Sequence, residues 1–555
     1  MSGQAHPAED PGEEQRSILS SSAVMAAGTT FSRLSGFIRS ILLAAALGNL
    51  VHADVFTIAN TIPNMLYILL AGGVFNAVLV PQLVRAMSHD PDGGEAYTNR
   101  VVTLAALFLA AVTLVLVAAA PWVVDLYTSD TWPPDALDSS VAFARLCLPQ
   151  VFFYGMFVLV GQILNSRQRF GPMMWAPIAN NVISVATLVV YLVVFGAATE
   201  AEQRGGFTTG QELLLGIGST LGIAVQLLVL LPYLRAAGFR YRPRFDFRDT
   251  GLGHTLRLGT WTVLFVVVNQ LAYTVVVRLA STGTGAGEAD GTGYTVYSSA
   301  FLIVMVPHSV ITVSLATAIL PRLSRAAADG DLARLGATLS STMRTALVVM
   351  VPFAALLPLL APELARLLLG YGAAAATVDN YVPTLALFGP AILFFTVHYL
   401  VLRGFYALEQ TRTVFLNQCA VAATNVAVAV AVVTTTGPAW TSPGLVVAYG
   451  AAYLVGAVLS YRVLSRRLGG LDGARLLRFA VRIVLVVALS TALAWAVHLG
   501  LDAVAGEEPP LPGRAWSALV VAVVGGVDVL AFLALARAFR VREVTAVLSL
   551  VTRRS

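Results

Sequence analysis

The chain has 555 residues, of which 57% are hydrophobic and 12% are charged, with a formal net charge of +5 and a mean hydropathy of +0.77. Soluble domains carry roughly 25% charged residues, so this composition excludes an ordinary soluble protein and is typical of a chain spread across a bilayer. All 35 basic residues are arginine and lie mostly in short segments between apolar stretches, which favours membrane orientation over nucleic-acid binding.

Residues 1–17 hold four acidic residues and one arginine, which is unlike the basic start of a signal peptide and predicts a disordered cytoplasmic tail. Fourteen apolar stretches follow, and a membrane-crossing helix needs about 20 such residues. The predicted fold class is therefore an all-α polytopic membrane protein with about 14 transmembrane helices. The stretches lie near 18–47, 55–84, 101–124, 141–165, 173–197, 212–234, 255–280, 294–321, 342–361, 380–402, 413–434, 443–464, 479–500 and 515–538.

The arginines give these helices an orientation. If the N-terminus is inside, 27 of the 35 arginines fall in segments at the cytoplasmic side, and five fall at the outer side. Short segments rich in arginine stay in the cytoplasm. The pattern therefore predicts that both termini are cytoplasmic, together with the basic linker 235–254 and the tail 539–555.

The chain also repeats itself. The segment "AVLVPQLVRAMSHD" around Pro81 resembles "TAILPRLSRAAADGD" around Pro321, which lies 240 residues later. The segment "LPQVFFYGMF" around Pro149 resembles "GPAILFFTVH" around Pro390, which lies 241 residues later. Two matches at nearly one offset predict two homologous lobes of six helices each.

The offset spans an even number of helices, so the two lobes have the same orientation in the membrane. Parallel repeats of this kind place the substrate path between the lobes. The predicted lobes are 18–234 and 255–464. The last two helices, within 479–538, lie outside the repeat and need a function of their own.

The first helix, "TTFSRLSGFIRSILL", is amphipathic. At 100° per residue, its polar residues fall within an arc of about 160° and its apolar residues lie opposite. The polar arc consists of Thr29, Ser32, Arg33, Ser35, Gly36, Arg39 and Ser40. Each mid-membrane arginine costs roughly 2.5–3.5 kcal/mol, so two on one helix predict a hydrated cavity for an anionic ligand. The alternative is that both arginines pair with carbonyl groups or extend to an interface.

Other polar residues give weaker signals. Asp54 opens helix 2, either as a helix cap or as a gating partner of the cavity arginines. Asn64 lies in a span rich in proline and glycine, where packing alone is an alternative explanation. Asn269, Gln270 and Arg278 lie in helix 7, and Arg278 near its outer end either contacts substrate or extends to the interface.

Several patterns do not indicate an enzyme. The glycine-rich segment 281–293 lies between two spans and is interpreted as a flexible outside loop, since a phosphate-binding loop would follow a strand. Cys147 and Cys419 lie in apolar spans and predict no disulfide. The histidines lack metal-ligand spacing, and no nucleophile–base pair stands out. We expect no catalytic residue, metal or cofactor.

Two motifs carry a resemblance to a known family. The segments "SRLSGFIRS" and "ADVFTIANTIPNMLYILLAGGVFNAVLVPQLVR" resemble the MurJ (MviN) family of lipid II flippases, and "LVLRGFYALEQTRT" is similar to that family's motif in the second lobe. The family belongs to the multidrug/oligosaccharidyl-lipid/polysaccharide exporter superfamily. The resemblance implies a protein of the bacterial inner membrane that moves undecaprenyl-pyrophosphate-linked muropeptide to the outer leaflet. Partners in cell-wall synthesis and division are implied in the same way.

The resemblance also assigns residues. Arg33 and Arg39 match the family's essential arginines, and Asp54 matches its essential aspartate. Helices 13 and 14 match a pair that forms a groove for the isoprenoid tail. The residues predicted to bind substrate are Arg33, Arg39, Asp54, Asn64, Tyr67, Asn269, Gln270 and Arg278.

The sequence departs from the Gram-negative branch of the family. Tyr67 and Ile68 stand where that branch has an arginine pair, and Gly72 stands where it has a glutamate. No basic residue lies between Arg278 and Arg322, so an arginine of helix 8 is also missing. We therefore expect a less cationic cavity.

The predicted mechanism is alternating access, driven by a membrane potential or an ion gradient because no nucleotide site is evident. Two transport alternatives remain, namely a flippase for another undecaprenyl-linked glycan and a drug exporter of the same superfamily. A drug exporter is expected to favour acidic cavity residues. A membrane-embedded glycosyltransferase or polymerase would need a catalytic carboxylate, and a non-transporting scaffold would not need an arginine cavity.

Overall fold

The protein is described by a computed structural model that covers residues 31–69, 92, 94–246, 252–285, 287–506 and 510–544, without residues 33 and 168. Of residues 252–259 it describes the backbone alone. The helices within these ranges are α1 (Leu34–Leu47), α2 (Val51–Ile68), α3 (Glu95–Ala118), α4 (Pro134–Ser166), α5 (Gly171–Val194), α6 (Thr209–Ala236), α7 (Leu252–Gly285), α8 (Tyr294–Ala328), α9 (Leu332–Leu368), α10 (Val378–Ala407), α11 (Thr411–Thr435), α12 (Pro438–Arg467), α13 (Gly473–Ala505) and α14 (Gly513–Ala538).

The described helices confirm the predicted fold class. The twelve helices α3–α14 are each long and apolar enough to cross a membrane, and shorter described parts of α1 and α2 precede them. A helix satisfies its backbone N–H and C=O groups within its own segment, as lipid requires, which explains why the described residues of this apolar chain are so largely helical.

Several helices extend beyond the predicted limits. The helix predicted at 342–361 is α9 with 37 residues, and the one predicted at 479–500 is α13 with 33 residues. Apolar runs mark only the part of a helix that crosses hydrocarbon. The hydrogen-bonded backbone continues into polar turns, where Asp331 caps α9 by accepting a bond from the Arg334 N–H at 2.8 Å.

The two halves of the chain share a core at one end of the bundle only. We call α1–α6 the first lobe and α7–α12 the second lobe. A large cluster of buried side chains combines both lobes, for example Phe143 and Leu188 with Phe388 and Tyr449. These residues lie toward the end where α1 meets α2, which we call the closed end.

At the opposite end each lobe has a separate core. One cluster joins α3, α4, α5 and α6 around residues such as Leu164 and Phe239. The other joins α8, α9, α10 and α12 around residues such as Leu339 and Phe405. We call this the open end, because the lobes part there and meet at the closed end.

Hydrogen bonds between the lobes cluster at the closed end. The Trp132 indole N–H donates to the Ser281 carbonyl at 2.7 Å. The Asn49 amide donates to the Thr377 carbonyl at 2.8 Å, and the Thr377 hydroxyl donates back to the Asn49 side chain at 2.7 Å. The Gln203 amide donates to the Ala373 carbonyl at 3.0 Å. These bonds bridge the ends of several helices and hold the lobes together.

The described part of the linker lies along the open end of α3. The Arg242 and Arg244 N–H groups donate to the Asn99 and Thr103 side chains at 2.8 and 3.1 Å. Arg100 forms an ion pair with Asp246 at 2.7 Å. The hydrogen bond from Arg100 holds the pKa of the Asp246 carboxyl below its usual value.

Helices α13 and α14 pack on each other and on α9. Their shared clusters include Val348 of α9 with Phe479 and Phe532 near the open end, and Leu360 of α9 with Val520 near the closed end. The pair is therefore attached to the second lobe mainly through α9.

A labelling experiment tests the orientation. In a protein with Cys147→Ala and Cys419→Ala, single cysteines replace Asp138 at the closed end and Arg244 at the open end, where both native side chains are exposed. A membrane-impermeant maleimide should label position 138 in intact cells and position 244 only after permeabilisation, because the arginine-rich end stays inside. The reverse pattern would overturn the predicted topology, and permeabilised cells control for access at both sites.

Candidate functional site

The polar face of α1 lines a cavity between the lobes. Ser32, Gly36, Arg39 and Ser40 face a space of about 490 Å³ bounded also by α2, α5 and α8. Phe31, Leu34 and Ile38 are more than half exposed on the other side of the helix. The described part of α1 therefore confirms the predicted amphipathic orientation, apart from Phe37, which lies on the apolar arc and also lines the cavity. We call this space the arginine cavity.

Arg39 is the one charged side chain among the described residues that line the arginine cavity. Within the described part of the chain no carboxylate lies within 4 Å of its guanidinium group and no hydrogen bond from that group is found. A cation in this position has a strong preference for an anion. Arg33, the other predicted arginine, lies outside the described residues.

A second cavity of about 370 Å³ adjoins the first, and both are lined by Thr61 and Phe301. Its wall carries amides and phenols and no charged side chain among the described residues. It is lined by Thr61, Asn64, Met65, Ile68, Asn269, Gln270, Ala272, Tyr273, Tyr294, Tyr297, Phe301, Gln418, Val421, Ala422, Asn425, Tyr449 and Tyr453. We call it the amide cavity, and three of the predicted residues meet in it.

Those three residues connect the elements around the amide cavity. The side-chain Oδ1 of Asn269 accepts a hydrogen bond from the Gln418 side-chain amide at 3.1 Å, which links α7 to α11. The Gln270 amide donates to the Met65 carbonyl and so links α7 to α2 across the lobes. Asn64 lines the same wall one residue earlier on α2.

Asp54 lies at the closed end and binds the start of α8. Its carboxylate is fully buried and accepts bonds from the Thr295 N–H at 2.6 Å, the Tyr294 N–H at 3.1 Å and the Thr284 hydroxyl at 2.9 Å. A helix N-terminus carries unpaired N–H groups and a partial positive charge, which a carboxylate satisfies. Asp54 therefore caps a helix of the other lobe rather than its own.

The cap requires a glycine beside it. A Cβ atom on Gly293, the residue before α8, would lie 1.9 Å from the Asp54 carboxylate. The backbone of Gly293 is held in turn by the Ser442 hydroxyl, which donates to its carbonyl at 2.6 Å. The glycine-rich segment 281–293 thus differs from the flexible loop that was expected, because its first residues extend α7 to Gly285 and its last residues are buried against Asp54.

Two further predicted residues line neither cavity. Arg278 donates to the carbonyls of Asp125 and Thr128 and pairs with the Asp130 carboxylate at 3.3 Å, at the closed end. Tyr67 stacks on Tyr154, with ring centroids 4.7 Å apart, within the first lobe. The structure therefore brings Arg39, Asn64, Asn269 and Gln270 to two adjoining cavities, whereas Asp54, Tyr67 and Arg278 line neither of them.

Sequence reasoning missed several cavity residues. The Asn181 amide of α5 donates to the Ser32 carbonyl and the Ser35 hydroxyl, both at 2.8 Å, and so fixes α1 against α5. Gln418 and Asn425 of α11 line the amide cavity. The available signal was the presence of amide side chains in otherwise apolar helices, since such groups need partners or water in a bilayer.

Comparison with known proteins agrees with this architecture. The sequence profile of the family described as "Lipid II flippase MurJ" matches residues 43–508. A "Probable lipid II flippase MurJ" of Rhizobium meliloti is 27% identical over 508 residues, which cover 90% of each chain. The "Lipid II flippase MurJ" of Burkholderia cenocepacia is 27% identical over 392 residues, which cover 69% of this chain and 72% of that one.

Solved structures share the fold. One described as "Lipid II flippase MurJ, inward closed conformation" superposes with a TM-score of 0.71 at 16% identity and covers 93% of this chain and 98% of that chain. An inward-facing multidrug resistance MATE family transporter of the MOP superfamily superposes with a TM-score of 0.62 at 15% identity, over 80% of this chain and 96% of that one. With a profile match over most of its length and the helices of a multi-pass membrane protein, this chain belongs to the lipid II flippase MurJ family.

Proposed function

We propose that this protein moves a polyprenyl-diphosphate-linked muropeptide, lipid II, from the cytoplasmic to the outer leaflet of a bacterial inner membrane. The observation that carries the proposal is Arg39, a cation without a carboxylate partner among the described residues, in a cavity between two lobes. The diphosphate is the anion that it binds. Guanidinium groups stay charged and hold phosphate oxygens in bidentate fashion.

The amide cavity takes the sugar and peptide part of the head group. Asn64, Asn269 and Gln270 offer donors and acceptors without charge, and Tyr273 and Tyr453 add aromatic faces. Neutral amides and phenols hydrogen-bond sugar hydroxyls and peptide groups. Because this cavity adjoins the arginine cavity at Thr61 and Phe301, one extended head group can occupy both.

The isoprenoid tail stays in the lipid along α13 and α14. The outer face of α13 exposes large apolar side chains at helical spacing, including Val481, Leu485 and Leu489. An apolar chain on this face needs no polar partner. This gives the two helices outside the repeat a function.

The head group crosses the membrane when the two lobes separate at the closed end and come together at the open end. The Asp54 carboxylate joins α2 of the first lobe to the start of α8 in the second, so these bonds must break before the cavity opens to the other side. A hydrogen bond to a charged group contributes roughly 1.5–3 kcal/mol. Rocking of lobes related by a parallel repeat is the expected motion. The open end is cytoplasmic, as are both termini.

A drug exporter is the second candidate function, since MATE transporters share the fold. Cationic drugs are expected to need acidic cavity residues, and among the described residues neither cavity has one. The anionic substrate is therefore preferred.

Loss of charge at the two arginines of the first predicted helix tests the anion site. Arg39→Ala and Arg33→Ala should each abolish transport of lipid II in proteoliposomes while the protein still inserts, because removing a charge from the bilayer eases insertion. Arg39→Lys should restore transport only in part, since lysine keeps the charge and loses the planar fork. The matched control is Arg145→Ala, an exposed arginine of α4. Normal transport by both alanine variants would refute the anion cavity.

Truncation tests the proposed tail site. A protein without residues 473–555 should keep a folded core of twelve helices, because the part of α9 that it exposes within the hydrocarbon is apolar and can meet lipid, while Arg344 lies at the depth of the head groups. Transport should be lost. Circular dichroism reports folding, and the same proteoliposome assay reports transport, with removal of residues 545–555 alone as the control. Full activity of the long truncation would exclude a tail groove on α13 and α14.

Asp54→Asn tests the latch between the lobes. The amide keeps the shape and loses the charge that attracts the α8 N-terminus, which should favour opening of the closed end by roughly 2 kcal/mol, or about 30-fold in the ratio of the two states. Spin labels at positions 200 and 290, exposed on opposite lobes, should show a larger fraction of long distances by double electron–electron resonance. Asp138→Asn, an exposed acid, is the control, and an unchanged distance distribution in Asp54→Asn would contradict the latch.

A further inference from the structure

A third cavity lies at the open end, outside the path between the lobes. It encloses about 240 Å³ between α9, the first turns of α13 and the segment that follows α14. It is lined by Arg344, Arg475, Arg478, Phe479, Arg482, Arg540, Val541, Arg542 and Glu543. Six arginines and one glutamate thus surround a single small space.

The arginines are only partly neutralised. Arg344 pairs with Glu543 at 3.4 Å, and Arg475 pairs with Asp472 at 3.0 Å. The other four arginines of the cavity have no carboxylate within 4 Å in the described part of the chain. Like charges around one cavity repel each other, by about 1 kcal/mol for a pair at 4 Å even in water. A bound anion would remove this repulsion.

Arg344 indicates that the cavity is more than a solvated charged surface. It is only 9% exposed, and the Glu543 carboxylate, 3.4 Å from its Nε atom, does not complete a hydrogen bond to that atom. A buried guanidinium group is stabilised by well-aligned acceptors, which native proteins normally supply. A ligand oxygen in the cavity would add such an acceptor beside Glu543.

The chain folds back after α14 to complete the cavity. The Val541 N–H donates to the Ala536 carbonyl at 2.8 Å, and Arg540 has a φ of 54°. A left-handed residue after a helix is usually glycine, because a side chain there costs roughly 1–2 kcal/mol. This reversal buries Val541 and Val544 against the α9–α13–α14 cluster and directs Arg540 and Arg542 to the cavity.

The cavity lies at the depth of the lipid head groups. Arg344 precedes the apolar stretch 346–361 of α9, and Arg482 precedes the apolar run 483–497 of α13. Helices of 37 and 33 residues are about 55 and 50 Å long, whereas the hydrocarbon is about 30 Å thick. Their first turns therefore stand outside the hydrocarbon.

We propose that this cavity binds the phosphate of an anionic phospholipid from the leaflet at the open end. Arg475, Arg478 and Arg482 recur every three or four residues and form one stripe on α13, suited to a phosphate diester. Leu477 and Val481 are 66% and 52% exposed beside this stripe and give the acyl chains an apolar surface. Basic pockets between transmembrane helices are typical sites of this kind. The bound lipid joins α13 and α14 to α9.

Thermal unfolding of the purified full-length protein in detergent tests the site. Dioleoyl phosphatidylglycerol should raise the midpoint temperature by several degrees more than dioleoyl phosphatidylcholine, since only the former has a net negative charge. Arg478→Gln with Arg482→Gln should lose most of this difference. The matched control, Arg322→Gln with Arg325→Gln, removes two exposed arginines from the open end of α8 and should keep it.

Other outcomes would overturn the proposal. An equal rise with phosphatidylcholine would show that the lipid charge is irrelevant, and an equal rise with inorganic pyrophosphate would assign the cavity to a soluble anion. A phosphatidylglycerol effect that persists in the α13 double variant would place the lipid elsewhere. If the double variant fails to insert into the membrane, the single variant Arg542→Gln, which changes an exposed side chain, is tested instead. It should also lose most of the phosphatidylglycerol effect.

Discussion

The bonds between the Asp54 carboxylate and the first turn of α8 decide which end of this protein is closed. A buried carboxylate needs several donors, and a helix N-terminus needs acceptors, so the two requirements are satisfied together. One partner comes from each lobe. Other features agree with a closed end at this position. The lobes share a core there, and Trp132 and Asn49 add hydrogen bonds between them, whereas the lobes are separate at the opposite end.

Asp54 and Arg39 illustrate two ways to place a charge in a membrane protein. Asp54 is fully buried and satisfied within the protein, which suits a structural contact that can open as a unit. Arg39 borders a cavity and has no carboxylate near it among the described residues, which suits a site that awaits an anion.

Helices α13 and α14 can bind the isoprenoid tail of the substrate and an anionic phospholipid at the same time. The apolar outer face of α13 offers a surface for a long tail, while the arginines at its start surround a cavity on the side of α9. Both rely on one physical arrangement. A helix much longer than the hydrocarbon can present lipid-compatible side chains in its middle and phosphate-binding side chains at its end.

The sequence alone determined the features that depend on local pattern. Apolar stretches predicted the helices, because a bilayer allows little else, and the 100° spacing of Ser32, Gly36 and Arg39 predicted the polar face of α1. The tertiary structure alone decided which distant residues meet. Asp54 could not be assigned to α8 from sequence, since its partners on α8 are backbone N–H groups some 240 residues away, which every residue type except proline provides. Arg278 and Tyr67 were predicted to bind substrate, with an interface position as the alternative for Arg278, and only the packing of the helices places them against Asp130 and Tyr154. In the sequence, the arginines of α9, of α13 and of the segment after α14 look like unrelated charges. Only the packing of these three segments brings them around one cavity.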